Sequence, residues 1–201
     1  MARNTQPIAK RCKALGISPA VMGYAKKTTT RNAKQMRRKK ESEYSLQLHE
    51  KQKVKFIYGI MEKQFRNYYA KADKAPGQTG ENLLVMIERR LDNVVFRMGF
   101  ATTRREARQL VCHGHFTVNG RKVDIPSYQT KAGDVIEVRE NSRSKFVFTR
   151  LSGEDAVSVN ASPEWVDREE NKLKGTILRL PTREDIEFPV EEHLIVEFYS
   201  R

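Results

Sequence analysis

Between Ser45 and Ala72, apolar residues recur at intervals of three and four after a first gap, and glutamine and lysine occupy many positions on the opposite face. This spacing predicts a helical segment with one buried face. Gly59 weakens the middle of the pattern and is a candidate break between two helices. The apolar positions are Leu46, Val54, Ile57, Tyr58, Met61, Phe65 and Tyr69.

A second helical pattern covers "TGENLLVMIERRLDNVVFRMGF", after a loop that is marked by proline and glycine in "DKAPGQTGEN". Thr79 is the candidate N-cap and Gly99 the candidate C-cap of one helix. Its apolar stripe is typical of a helix that faces a core and consists of Leu84, Ile87, Leu91, Val94, Val95 and Met98.

The segment "ATTRREARQLVCHG" predicts a third helix. Thr102 or Thr103 caps it, Glu106 completes a capping box, and Gly114 ends it. We expect Ala107, Leu110 and Val111 to face inward. The three arginines are expected on the outer side: Arg104, Arg105 and Arg108.

Strand patterns follow this helix. "HFTVNGRKV" has the form strand, Asn-Gly turn, strand, which is a strong hairpin signal. "DVIEVRE" predicts a third strand and "SKFVFTRL" a fourth. Residues 152–175 look acidic and loop-like, although Trp165 is expected to be anchored in a core.

The last segment, "EFPVEEHLIVEFYSR", ends in a dense apolar run that is untypical of a disordered tail. We expect it to pack on the helices of residues 45–72, so that the smaller unit is an insertion. The predicted fold class is α+β, with a mainly helical domain and an inserted small α/β domain with a hairpin-rich sheet. The predicted domains are a flexible basic arm (1–44), a helical domain (45–88 plus 178–201) and the inserted domain (89–177).

Charge distinguishes the two ends of the chain. The protein carries 38 Lys and Arg against 25 Asp and Glu. Residues 1–80 hold 19 basic and 5 acidic side chains, whereas residues 151–201 hold 6 and 12. The run "KKTTTRNAKQMRRKKE" has eight cations and one acid, which favours a nucleic-acid partner. It lacks an apolar face for a membrane surface, so we expect no membrane partner.

No motif predicts catalysis. "CHGH" places Cys112, His113 and His115 within four residues, but a structural zinc site needs four ligands and no second pair exists. The phosphate-binding patterns GxxxxGK[ST] and GxGxxG and the catalytic patterns GxSxG and HExxH are missing. Two cysteines give no disulfide framework and fit a reducing compartment. We expect no enzyme activity, metal or cofactor.

The basic helix and the hairpin together predict an RNA interface. Arginine suits phosphate because its guanidinium binds in a bidentate manner. A positive helix beside a hairpin edge fits the shape and backbone of RNA. The hairpin tip adds Asn119, Arg121 and Lys122, and the other basic side chains expected at RNA are Lys34, Arg37, Arg38, Lys39, Lys40 and Lys53.

These residues also carry a family resemblance. The stretch "RLDNVVFRMGFATTRREARQLVCHGHFTVNGRKVDIPSYQTKAGDVIEV" resembles the S-four RNA-binding domain, which is shared by several RNA-associated proteins. The flanks "YSLQLHEKQKVKFIYGIMEKQFRNYY" and "HLIVEFYSR" are similar to the bacterial-type ribosomal S-four family. By resemblance, the RNA-contacting positions are Arg90, Arg104, Arg105, Arg108, Gln109, His113, His115, Asn119 and Arg121.

The resemblance implies a constituent of the small subunit in the cytoplasmic ribosome. Such a protein would bind the 5′ domain of 16S rRNA early in assembly and support translational accuracy. The implied partners are ribosomal proteins S-three and S-five, mRNA where it enters the subunit, and the protein's own mRNA.

One part of the chain departs from the family pattern. Many members carry an N-terminal cysteine cluster that binds zinc or an iron–sulfur cluster, whereas only Cys12 is present here. The sequence therefore predicts a cluster-free variant whose arm becomes ordered on rRNA. An RNA-modifying enzyme or an RNA chaperone with the same module remains the alternative, but the rest of the chain offers no catalytic constellation.

Overall fold

The computed structural model describes residues 7–24, 42–149, 151, 162–169 and 173–200. The chain divides into two compact units, Met1–Gly80 with Glu187–Arg201, and Glu81–Ile186. We call them the helical unit and the inserted unit. Five basic residues predicted to contact RNA lie outside the described residues: Lys34, Arg37, Arg38, Lys39 and Lys40.

The described part of the helical unit consists of short helices. They are α1 (Ile8–Ala14), a 3-10 turn (Pro19–Met22), α2 (Glu43–Ile57), α3 (Glu62–Asp73) and α9 (Glu192–Ser200), and α4 (Thr79–Glu88) begins at the unit's boundary. The Ser42 hydroxyl accepts a hydrogen bond from the Ser45 N–H and caps α2. Gly59 has φ +63°, which confirms the predicted break between α2 and α3.

Helix α9 packs on α2 and α3, as predicted for the C-terminal segment. The Tyr199 ring lies 4.8 Å from that of Tyr69 and 6.1 Å from that of Phe65, while Phe198 lies 5.6 Å from Tyr44. The Tyr199 hydroxyl donates to the Glu62 carboxylate at 2.7 Å. These aromatic contacts join the N-terminal and C-terminal segments of the helical unit.

Protonation of Glu62 is expected to loosen α9. Partial burial by itself raises the pKa of Glu62, but hydrogen bonds from Lys55, Tyr199 and Lys51 outweigh it and lower the pKa from 4.5 to about 2. A depressed carboxyl pKa stabilises the fold above the unfolded value, and this contribution is lost as pH falls from 4.5 towards 2.

Hydrogen exchange measures this effect directly. We expect the protection factors of the α9 amides to fall across that acidic range in the wild type. Glu62→Gln should show lower protection at pH 6 and a weaker change with pH. Glu187→Gln, at an exposed residue of the same unit, is the control. Equal pH profiles in the wild type and Glu62→Gln would contradict the assignment.

The inserted unit combines helices with one antiparallel sheet. Its helices are α5 (Leu91–Arg97), α6 (Arg104–Cys112), α7 (Glu140–Arg143) and α8 (Phe146–Thr149), together with most of α4. Its strands are β1 (Phe116–Val118), β2 (Arg121–Lys122), β3 (Val135–Val138), β4 (Val166–Arg168) and β5 (Lys174–Ile177), in the order β2-β1-β3-β5-β4. The fold class is α+β, as predicted.

One apolar cluster joins α5, α6 and the sheet. Val94 and Val95 of α5 and Val111 of α6 share this core with Phe116 and Ile136 of the strands, and all five are fully buried. Trp165 is also fully buried, which confirms its predicted anchoring. The hairpin turn has φ 50° at Asn119 and 77° at Gly120, as an Asn-Gly turn requires.

The single helix predicted from Thr79 to Gly99 is wrong, because the structure has two helices there. Arg90 is extended (ψ 137°) and is the N-cap of α5. The Leu91 N–H donates to the Tyr128 carbonyl at 3.0 Å and the Asp92 N–H to the Pro126 carbonyl at 3.2 Å. The carbonyls of the "IPSY" loop thus accept hydrogen bonds from N–H groups that would bond within the helix if it were continuous.

The predicted fourth strand is also wrong. The segment "SKFVFTRL" contains α8, in which the Thr149 N–H donates to the Lys145 carbonyl at 3.0 Å. β3 pairs instead with β5, in which Gly175 and Ile177 are buried; β5 begins in the last two residues of the stretch expected to be a loop and continues beyond it. None of the described helices is long and apolar enough to cross a membrane.

Candidate RNA-binding surface

Arg104 points into the inserted unit, which contradicts its expected position on the outer side of α6. Its side chain is 7% exposed, its Nε donates to Asn93 Oδ1 at 2.9 Å, and its guanidinium lies 4.4 Å from the centre of the Phe96 ring. Arg104 stands three residues before Ala107 and seven before Val111, so it shares their face. This spacing was visible in the sequence.

A buried polar network lies beneath this face. The Glu88 carboxylate accepts hydrogen bonds from Arg97 Nη2 at 2.9 Å and from the Asn93 amide, and Asn93 accepts from Arg104. Glu88, Asn93 and Arg97 are at most 5% exposed. The network ties α4, α5 and α6 together, so these charges serve the fold.

Arg90 belongs to a second buried pair. Its guanidinium binds both carboxylate oxygens of Asp92, at 3.0 and 2.7 Å, and it is only 1% exposed. Arg108 approaches the same carboxylate at 3.7 Å from the surface, with 18% of its side chain exposed. Asp92 therefore holds Arg108 at the edge of the domain, while Arg90 has little surface to offer RNA.

The outward face of α6 carries Arg105, Arg108 and Gln109, which are partly or fully exposed. Residues three and four apart are neighbours on a helix surface, so these side chains form one patch. Thr103 caps the helix by accepting from the Glu106 N–H at 3.1 Å, and the Glu106 carboxylate accepts from the Thr102 N–H at 2.7 Å. This confirms the predicted cap and fixes the first turn that carries Arg105.

The hairpin brings a further cation to the end of α6. Gly114 has φ +68°, and the aliphatic stem of Lys122 occupies the space that a side chain there would need. Arg121 and Lys122 are both exposed on β2. Arg139 Nη1 also donates to the Gly114 carbonyl at 3.3 Å. The tip of the hairpin and the end of the basic helix thus form one positive surface.

The Asn119 side chain stabilises this hairpin through two hydrogen bonds. Its amide donates to Asp134 Oδ1 at 2.9 Å, and its oxygen accepts from the Val135 N–H at 2.9 Å. The residue is exposed, but both polar ends of its side chain hold β3 against the turn.

Lys53, in the helical unit, pairs with Glu50 at 3.2 Å and is only 14% exposed in its side chain.

The two histidines predicted to contact RNA differ in exposure. His113 is exposed, whereas His115 is 8% exposed, with its Nδ1 3.0 Å from the Ser142 hydroxyl and its ring edge-on to Phe148. Cys112 is exposed and Cys12 buried. Within the described ranges, no group of three His, Cys, Asp or Glu side chains could hold a metal ion.

The inserted unit is expected to lose stability in mild acid because of His115. Burial, with the positive charges of Lys145, His113 and Arg139, lowers the pKa of His115 from its ordinary value of 6.5. The unfolded chain therefore binds the proton more strongly, and the free energy of unfolding falls as pH drops below 6.5.

Urea unfolding monitored by Trp165 fluorescence measures the stability of this unit, because the only tryptophan lies in its core. We expect the midpoint to fall between pH 7 and pH 5 in the wild type. His115→Gln should flatten this dependence, whereas His113→Gln, which removes one of the smaller causes of the lowered His115 pKa and leaves its burial unchanged, should keep most of it. A wild-type midpoint that is constant with pH would show that His115 is not titrating as described.

The sequence analysis gave no role to the cations after β3. Arg139, Arg143 and Lys145 follow one another at intervals of four and two residues in "VRENSRSK". Arg139 lies at the end of α6 by its bond to Gly114. The only signal for this placement was the basic composition of the segment, in which Arg139 falls in the predicted third strand, Lys145 in the predicted fourth and Arg143 between them.

Comparison with known proteins finds two family matches in the chain. Residues 89–136 match the family described as "S4 domain", and residues 3–88 match "Ribosomal protein S4/S9 N-terminal domain". The first match contains α5, α6, the hairpin and the first two residues of β3. It therefore contains the exposed cations described above, except those that follow β3.

Full-length relatives extend the match to the whole chain. The protein is 53% identical over 201 residues to "Small ribosomal subunit protein uS4" of Lachnospira eligens, and 54% identical over 204 residues to that of Agathobacter rectalis. It is 49% identical over 201 residues to that of Fusobacterium nucleatum. In each case, the similarity covers 100% of both chains. The chain therefore belongs to the family of small ribosomal subunit protein uS4.

Proposed function

We propose that the protein is a structural constituent of the small ribosomal subunit, in the cytoplasmic ribosome, that binds the 5′ domain of 16S rRNA early in assembly. The observation that carries the proposal is the joint positive surface of α6 and the hairpin. Its exposed or partly exposed members are Arg105, Arg108, Gln109, His113, Arg121 and Lys122. Donors fixed on a helix and a hairpin suit a rigid, folded RNA backbone.

The basic N-terminal arm is a second part of the chain proposed to bind RNA. Residues 1–80 hold 19 basic against 5 acidic side chains, so phosphates near this end would release many counterions. Contacts by Lys34, Arg37, Arg38, Lys39 and Lys40 are part of the proposal. The two parts together would allow the protein to bind RNA before most other proteins have joined the particle.

Neighbouring proteins are proposed at the acidic end. Residues 151–201 hold 12 acidic against 6 basic side chains, which disfavours phosphate and favours basic ribosomal proteins. Leu178 and Leu180 are 59% and 40% exposed there. Ribosomal proteins S-three and S-five are the proposed neighbours, close to where mRNA enters. From this position the protein would support translational accuracy. Its own mRNA is a further proposed ligand.

The alternatives fit less well. An RNA-modifying enzyme needs a catalytic domain, whereas the similarity to ribosomal proteins extends along the full chain. A free-standing RNA chaperone has no use for α9, whose aromatic side chains bind it to α2 and α3. We therefore assign no catalytic activity.

Reconstitution of the subunit tests the proposal. Small subunits are assembled from 16S rRNA and a protein mixture that lacks this chain, with and without the purified protein. We expect the protein to sediment with the particle and to be required for a full-sized particle. A full-sized particle in its absence, with the added protein remaining unbound, would contradict a role in assembly.

A further inference from the structure

Phe146, the first residue of α8, is 82% exposed. No other large apolar side chain within residues 7–24, 42–149, 151, 162–169 and 173–200 is as exposed. A single exposed apolar residue needs no explanation by itself. The setting of this one, however, combines a fixed backbone with neighbouring cations.

The backbone beneath Phe146 is held by the domain core. Phe148 is fully buried, and its ring lies edge-on to His115 at 5.8 Å and to Phe116 at 5.9 Å. The Thr149 hydroxyl donates to the Phe146 carbonyl at 3.1 Å. The exposed ring is therefore presented on a turn whose backbone is anchored by the core, so that binding orders little additional backbone.

The charge around this turn is continuous with the candidate RNA-binding surface. Lys145 is exposed beside Phe146, and Lys145, His113 and Arg139 all lie close enough to His115 for their charge to act on it. The rings of His113 and His115 are 6.0 Å apart. The nearby acid Glu137 is already paired with Arg143, although Glu140 is exposed. Cations thus extend from the end of α6 to α8.

We propose that Phe146 is a stacking platform for an unpaired RNA base, with Lys145 contacting an adjacent phosphate. This inference rests on the proposed rRNA binding and extends it from phosphate contacts to a base. Aromatic side chains beside cations recognise single-stranded nucleotides, because every base has a face that can stack and every nucleotide carries a phosphate. A protein partner is disfavoured by the continuity with the RNA surface.

The test compares variants in binding to a 16S rRNA 5′-domain transcript over a range of salt concentrations. Phe146→Ala is expected to weaken binding about 5- to 150-fold, the range measured for loss of one stacked base. It should leave the slope of log affinity against log salt unchanged. Lys145→Ala should reduce that slope by about 0.7 to 0.9, as expected for one lost phosphate contact. Phe146→Trp should keep the wild-type affinity, and Phe146→Leu should remain weak.

The outcomes separate this inference from the proposed function. If the wild type shows no preference for the transcript, the proposed function fails and the stacking site fails with it. If the wild type binds specifically and Phe146→Ala binds equally well, only the stacking site is overturned. Wild-type affinity in Phe146→Leu would indicate a simple apolar contact. Normal RNA binding by Phe146→Ala together with failed incorporation into subunits would indicate a protein contact. Both would overturn stacking.

Discussion

Glu88→Ala is expected to lower the free energy of unfolding of the inserted unit by about 3–5 kcal/mol. The carboxylate is 1% exposed and accepts hydrogen bonds from Arg97 and Asn93. Its removal leaves the Arg97 guanidinium, itself only 5% exposed, without its charge partner in the interior. An unpaired buried charge is among the most costly defects in a folded protein.

Urea unfolding followed by Trp165 fluorescence provides the measurement. Glu140→Ala removes the same charge from an exposed site of the same unit and is expected to change the unfolding free energy by about 0.5 kcal/mol or less. Glu88→Gln keeps an acceptor without the charge and should fall between the two. A loss below about 1 kcal/mol in Glu88→Ala would contradict the structural role given to this network.

The double variant Arg121→Ala/Lys122→Ala is expected to weaken binding to the 16S 5′-domain transcript by roughly a hundredfold. Hydrogen bonds to charged groups contribute about 1.5–3 kcal/mol each, and two are removed at the lower end of that range. Because both side chains are exposed on β2, the fold should be retained. The salt slope should fall by about 1.4–1.8.

A matched double variant removes two positive charges elsewhere in the same unit. Lys174 and Arg179 are partly exposed or exposed and pair with Glu169 at 3.3 Å and Asp185 at 2.7 Å. We expect Lys174→Ala/Arg179→Ala to change RNA affinity far less, since these cations lie outside α6 and the hairpin and each pairs with an acid at 3.3 Å or less, whereas Lys122 lies 3.7 Å from Asp124 at an exposed site. Equal losses in the two double variants would mean that only net charge matters, which would refute the hairpin surface.

Local signals in the sequence predicted several elements correctly. The Asn-Gly turn, the Thr103 cap and the break at Gly59 depend on backbone preferences of one or a few residues, and all three are present. The packing of the C-terminal segment could also be predicted, because a dense apolar helix needs a partner. Such features require no knowledge of distant contacts.

The wrong predictions concern segments whose secondary structure depends on hydrogen bonds to a distant part of the chain. The break at Arg90 depends on the "IPSY" loop, about 35 residues further along the chain, whose carbonyls bind the first turn of α5. The strand expected at "SKFVFTRL" is absent, and β3 pairs instead with β5, which begins at the end of the stretch interpreted as a loop. Both decisions depend on tertiary pairing, which periodicity does not show.

The sequence shows which residues of the candidate surface are basic, but not where the fold places each of them. A list of basic residues does not distinguish arginines that bind phosphate from arginines that neutralise buried acids. Asp92 and Glu88 take Arg90 and Arg97 into the interior, and Asn93 does the same for Arg104. The inward turn of Arg104 could have been predicted from its helical spacing, whereas the burial of Arg90 required the position of the loop.

The most direct test of the account is the affinity of the full-length protein for a 16S rRNA 5′-domain transcript, compared with an unrelated RNA of equal length, over a range of salt concentrations. We predict a clear preference for the 16S transcript that persists at physiological salt, because fixed donors on α6 and the hairpin match one folded backbone. Equal affinity for both RNAs, lost as salt rises, would contradict specific rRNA recognition and leave only attraction between a basic protein and a polyanion.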